Sequence, residues 1–316
     1  MIRHFRFQNR VAESVFTLPS CVVLSLLLWW FPQFHFETKN LVALALTLLV
    51  SYVLTETNNV YQLIRIRTRM MACMWLLQAT CMPFLHTAIM PLLCALLLSV
   101  SHFILFRCYQ LPNAVNGVFH CFLVLSVGSL CWSPLLLLVP FYWFCLSVFL
   151  RSMSWRTFWS SIFGILLPYW LWFGYAFCFD GQQRLQLHFE AVAQFVSSVP
   201  ALSSSFFSLP LTQLIPWFVV AFFVLWGLVH YLRNSYNDKI RVRMMLYIYV
   251  CEILLLLTVM ILLPQNFLFL SALFFVNSSS LLAHYFSLTS SRFSNFLFCL
   301  FLLLCFSFPL LSFWLK

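Results

Sequence analysis

Clusters of positive charge in this chain recur only in the gaps between long apolar runs, and only in every second gap. Arg3, Arg6 and Arg10 precede the first run; Arg65, Arg67 and Arg69, then Arg107, then Arg151 and Arg156 follow. Arg233, Lys239, Arg241 and Arg243 come next, and Arg292 closes the series. Of the 17 Lys and Arg, only Lys39, Arg184 and Lys316 fall in the intervening gaps. A chain threaded back and forth through a bilayer keeps its basic loops on the cytoplasmic side. The pattern therefore predicts a polytopic membrane protein with its N-terminus in the cytoplasm and its C-terminus outside.

Composition excludes the soluble alternative. Apolar residues make up 63% of the 316 and charged residues 8%, whereas a soluble domain carries about 25% charged residues. The 38 Phe and 12 Trp suit lipid contact and interfacial anchoring. The net charge of +10 is spread over short loops, so it reads as orientation and contact with lipid head groups, not as a nucleic-acid surface.

A helix needs about 20 apolar residues to cross a bilayer. That rule places spans near 15–34, 40–56, 70–86, 88–106, 112–131 and 133–150, and further ones near 157–179, 211–232, 244–263, 266–287 and 293–315. The expected fold is an all-α transmembrane bundle of about ten to eleven spans in one domain, 1–316. Pro83, His86 and Pro91 blur the parse between 70 and 106. The run from Val15 to Phe34 is long for a signal-peptide core and reads as an uncleaved first span. Within the outer connection 180–210, Leu185, Phe189, Val192, Ala193 and Val196 recur at helical spacing. This predicts an amphipathic helix on the outer membrane surface, with a re-entrant or frayed loop as the alternative.

Polar residues inside lipid are the candidates for chemistry. Glu252 lies eight residues past Met244, about 12 Å into the bilayer at 1.5 Å per residue. It reads as a proton or cation site, or as a carboxyl bonded to a neighbouring helix. Asn277, followed by Ser278, Ser279 and Ser280, reads first as close helix packing and second as a substrate lining. Ser160, Gly164 and Pro168 at spacing four read as a packing seam with a kink. His86, His102, His120, His230 and His284 lie near span ends, where bonding at head-group level is expected. Outside, the acids Glu37, Asp180 and Glu190 are the candidates for lipid-linked sugar chemistry. Inside, Arg151 and Arg156 are candidates to contact a phosphate or other anion.

No CxxC, HxxxH, HExxH, GxSxG or GxxxxGK occurs, so neither a metal site nor a cofactor is expected. Most of the 12 cysteines, among them Cys21, Cys73, Cys94, Cys121, Cys145, Cys251, Cys299 and Cys305, sit in apolar runs and act as small apolar side chains.

Particular stretches carry a family likeness. Gly128-Ser129-Leu130, Pro134, Ser154-Trp155-Arg156 and Gly164-Ile165-Leu166-Leu167-Pro168-Tyr169, with Asn58-Asn59 and Leu281-Leu282-Ala283-His284-Tyr285, resemble a family of polytopic inner-membrane proteins of Gram-negative bacteria known as a domain of unknown function. The resemblance implies a bacterial inner-membrane location and supplies no activity. Three function classes follow. First is a non-enzymatic component of an envelope-assembly or export complex, with membrane lipids and other envelope membrane proteins as partners. Second is a lipid-linked glycan polymerase or glycosyltransferase. Third is a secondary transporter using Glu252 and Asn277.

Overall fold

The computed structural model describes residues 6–30, 37–179, 182–197 and 209–314. Among them every regular element is helical. In chain order the α-helices are α1 (Phe7–Glu13), α2 (Thr17–Trp30), α3 (Thr38–Tyr61), α4 (Met70–Thr80), α5 (Ile89–Arg107), α6 (Val115–Cys131) and α7 (Leu138–Val148). They continue as α8 (Trp155–Cys178), α9 (Gln182–Ser197), α10 (Leu211–Asn234), α11 (Ile240–Leu262), α12 (Phe267–Leu288) and α13 (Arg292–Trp314).

Seven of these (α3, α5, α8, α10, α11, α12 and α13) are long and apolar enough to cross a membrane, and α1 with α2 qualifies as a pair bent by 99°. Three shorter apolar stretches, 70–80, 115–131 and 133–148, complete the set. Two of them are short for a visible reason. Pro83 and Pro134 each open a 3₁₀ turn, Pro83–Leu85 after α4 and Ser133–Leu137 before α7. A proline without an N–H is tolerated at such a start and not inside a continuing helix. The chain is a multi-pass membrane protein built as an all-α bundle.

Contacts between loops sort the bundle into two ends. Arg65 pairs with Asp238, the Arg241 guanidinium lies over the rings of Tyr61 and Tyr109, and the Gln110 N–H donates to the Leu150 carbonyl. The Gln8 amide donates to Thr289. All these residues lie in or directly beside the arginine-bearing segments, so those segments share one end, called here the basic end. At the far end Trp29 stacks on His86, Phe84 and Trp217 pack on Phe267, and Trp132 stacks on Phe269. Among the described residues, seven long helices, the bent pair and three shorter apolar stretches lie between these two ends.

The central pass is α12. Of its span 89% is buried, against 22% for the peripheral α8. Small residues allow this: Ser271, Ala272, Ser278, Ser279, Ser280 and Ala283 are buried on it, letting α4, α5, α10 and α11 approach. The hydroxyls of Ser279 and Ser280 donate to the carbonyls three residues back, at 2.7 and 2.6 Å, so those two hydroxyls are satisfied within their own helix.

The seam expected on α8 is present and runs along α6. Ser160 donates to the Val115 carbonyl at 2.7 Å, and Ser126 donates to the Ile165 carbonyl at 2.8 Å. A Cβ placed on Gly164 would lie 2.6 Å from the Phe119 carbonyl oxygen, so only glycine permits this approach. The amphipathic helix expected within 180–210 is α9. It turns back on α8 where the Tyr169 hydroxyl meets His188 Nε2 at 3.0 Å. Ser198, Pro200 and Ser203 to Ser205 lie outside the described residues.

Candidate functional site

Two polar centres occupy this frame, one inside the bundle and one at the basic end. The inner one joins α5 to α11. His102 Nε2 and Glu252 Oε2 lie 2.6 Å apart and both side chains are fully buried. His102 is five residues from the basic end of α5 and Glu252 twelve residues from that end of α11, about 7.5 and 18 Å along the two helices. Side chains lean toward the N-terminus of their own helix. On these antiparallel neighbours the two therefore lean toward each other and close the gap. Tyr249 meets the imidazole edge-on at 5.0 Å, and Phe106 and Tyr142 flank its faces. At 2.6 Å the two groups are within hydrogen-bond distance, while Glu252 Oε1 and His102 Nδ1 have no hydrogen-bond partner among the described residues.

A second buried bond lies on the central helix itself. Ser278 donates to Gln78 Oε1 of α4 at 2.9 Å. Asn277 Nδ2 donates to the Leu273 carbonyl of its own helix at 3.2 Å. Glu252 and Asn277, expected to work together, thus each have a different partner.

The outer centre is built on the 235–239 turn. Asp238 accepts from Arg65 Nε at 2.6 Å and from His284 Nε2 at 3.0 Å, and its carboxylate is fully buried. Burial alone would push the Asp238 carboxyl up. The hydrogen bonds and charges of His284 and Arg65 outweigh it and hold the group below its ordinary value. One carboxylate therefore ties the 62–69 loop and the α10–α11 turn to the central helix.

Beside this clamp lies a polar recess of about 810 Å³. Arg65, Arg67 and Arg69 line it together with Glu13 at the end of α1 and Asn58 and Gln62 at the end of α3. Asn58 shapes the rim: its amide donates to the Thr68 carbonyl at 2.9 Å and accepts from the Ile64 N–H at 3.2 Å. Gln62 ends α3 in the left-handed region at φ 52°, which turns the arginine loop back across the helix end. Arg67 and Arg69 form no ion pair among the described residues, whereas Arg65 is committed to Asp238.

The remaining expected residues are dispersed. Glu37 is exposed at the start of α3, and Glu190 is exposed on α9, accepting from Gln186 at 2.8 Å. Asp180 lies outside the described residues. Arg151 and Arg156 are exposed at the basic end, but the recess is lined by the other arginine cluster. The head-group role expected for the span-end histidines does not describe His102, which is buried against Glu252, nor His284, which is buried against Asp238. Asp238 itself was hidden among Arg233, Lys239, Arg241 and Arg243. A lone acid in a run of bases is the signal that could have found it.

The chain matches no family model and no curated protein, and no solved structure matches its fold.

Proposed function

We propose that this protein is a non-enzymatic component of an envelope-assembly or export complex in the inner membrane of a Gram-negative bacterium. Its basic end faces the cytoplasm and takes an anionic group into the recess beside Asp238. The carrying observation is the arrangement of guanidinium groups there: Arg67 and Arg69 line an open polar cavity and form no ion pair among the described residues, next to an Arg65 already paired with Asp238. Guanidinium forks match phosphate and carboxylate geometry. The alternating distribution of basic loops supports the cytoplasmic placement of this end. Membrane lipids and other envelope proteins are the partners this reading implies.

The test is the state of the protein released from native membranes by a mild detergent. Wild type is expected to migrate in an assembly larger than its own mass, and R67Q/R69Q to lose that assembly while remaining folded. Wild type migrating alone overturns the reading.

The buried pair favours a second reading, a secondary transporter that moves a proton through His102 and Glu252. Substrate-driven acidification in proteoliposomes, abolished by Glu252→Gln, would put this reading first; no proton flux in wild type removes it.

A further inference from the structure

The recess does not stand alone. An apolar groove of about 500 Å³ opens beside it, walled by α1, α2, α4 and α13. The two cavities share Ser14 at the corner of the 99° bend between α1 and α2. They also meet where Arg69 of the recess is followed by Met70 of the groove. A polar, cationic chamber and an apolar trough thus form one continuous surface at the basic end.

The groove's own polar groups are largely satisfied internally. Thr17 donates to the Val11 carbonyl and Ser20 to the Thr17 carbonyl, which leaves a wall of Leu24, Met74, Leu77, Phe298, Leu302 and Phe306. Among the groove's lining residues Arg10 alone is charged, and it lies on the same helix as Glu13 of the recess. The helix that carries both is firmly placed. Gln8 is fully buried and donates to the Phe286 carbonyl and to Thr289 Oγ1, and its N–H donates to Asn295. Hence α1 lies across the end of the bundle as a fixed strap over the junction.

A trough for hydrocarbon joined to a chamber for an anion has the chemistry of an amphiphile with a negatively charged head. Basic pockets between membrane helices suit phosphate-bearing head groups. We propose that the joined cavities bind one phosphate-bearing membrane lipid, with a hydrocarbon chain in the groove between α2 and α13 and the phosphate at Arg67, Arg69 and Arg10. Glu13, the one acid on the recess wall, faces a hydroxyl or amine of the same head group. The inference rests on the anion-recess reading above and adds the identity of the occupant.

The experiment uses the full chain in a neutral detergent and three probes: dioleoyl phosphatidic acid, dioleoylglycerol with the same chains and no phosphate, and glycerol 3-phosphate with no chains. Binding is measured by native mass spectrometry and by tryptophan fluorescence. Wild type is expected to bind phosphatidic acid at least tenfold more tightly than either other probe. R67Q/R69Q is expected to lose at least tenfold. Leu302→Trp and, separately, Leu24→Trp fill the groove from opposite walls and are expected to weaken phosphatidic acid about tenfold while leaving glycerol 3-phosphate unchanged. R151Q/R156Q, at the same end but away from both cavities, is expected to stay within twofold of wild type.

If the two groove-filled variants fold and hold phosphatidic acid like wild type while R67Q/R69Q loses it, the lipid inference is overturned and the anion recess stands. If R67Q/R69Q binds all three probes like wild type, both are overturned.

Discussion

His102 Nε2 and Glu252 Oε2 meet at hydrogen-bond distance, 2.6 Å, with no exposure of either side chain. Each was drawn into the apolar interior by its helix, and each is compensated only by the other. Truncating one leaves an unmatched polar group in a bilayer-embedded core, which costs about 3–5 kcal/mol for buried pairs. Replacing both with leucines restores a packed apolar contact and is expected to return stability to within about 1 kcal/mol of wild type. A double-mutant cycle on thermal unfolding in detergent measures this. Additive losses from the two single substitutions would mean that the pair is not a unit.

The Asp238 clamp predicts an acid limb in stability. Its carboxyl is held below the ordinary value by His284 and Arg65, so the folded state resists protonation more than the unfolded one. The stabilisation is therefore complete above the ordinary carboxylate range and is lost as pH falls through the lowered folded value. At neutral pH Asp238→Asn is expected to cost about 1.5–3 kcal/mol, typical of hydrogen bonds to charged groups. Arg65 is 46% exposed, which puts the ion-pair share toward the low end. Unfolding followed from pH 7 to pH 3 should show wild type converging on the Asp238→Asn variant. A constant gap would place the stabilisation elsewhere.

The passes were legible because each is an apolar run of nearly bilayer length, and because alternate loops carry the arginines. The seam of Ser160 and Gly164 was legible for a related reason: small residues four apart lie on one helix face. What faces the interior was not. Aromatic and aliphatic side chains look alike on either side of a lipid-embedded helix, so nothing in the run Ser99–Arg107 marked His102 as inward. Gln8 and Gln78, both fully buried, passed as ordinary polar residues, one in a basic leader and one in an apolar span. Asp238 drew no separate reading, because orientation alone accounts for the basic residues on either side of it in the sequence.

Orientation itself has a direct test. The contacts of Arg65 with Asp238, of Arg241 with Tyr109 and of Gln110 with Leu150 put four arginine-bearing loops on one side of the bundle. A reporter active only outside the cytoplasm should be silent when fused after Asn237 and active when fused after Gln183 on α9. Fusions at both positions giving the same signal would contradict a single crossing by α10 between them. The reverse pattern would keep the threading and invert the proposed placement.

Two glycines on α8 give a matched test of the seam with α6. Gly164 is buried, and an added Cβ meets the Phe119 carbonyl oxygen at 2.6 Å and the Leu123 nitrogen at 3.2 Å. Backbone atoms cannot swing aside as a flexible side chain can, so Gly164→Ala forces the helices apart. That also stretches the bonds from Ser160 to Val115 and from Ser126 to Ile165. The expected loss is about 1–3 kcal/mol, the usual range for overpacking. An added Cβ at Gly174 meets nothing within 4 Å. There alanine adds helix propensity without a clash, and Gly174→Ala is expected to be neutral or to stabilise by up to about 1 kcal/mol. Thermal unfolding of the two variants in the same detergent decides it. Because both sites lie on one helix, equal effects would show that α8 does not owe its place to close approach at Gly164.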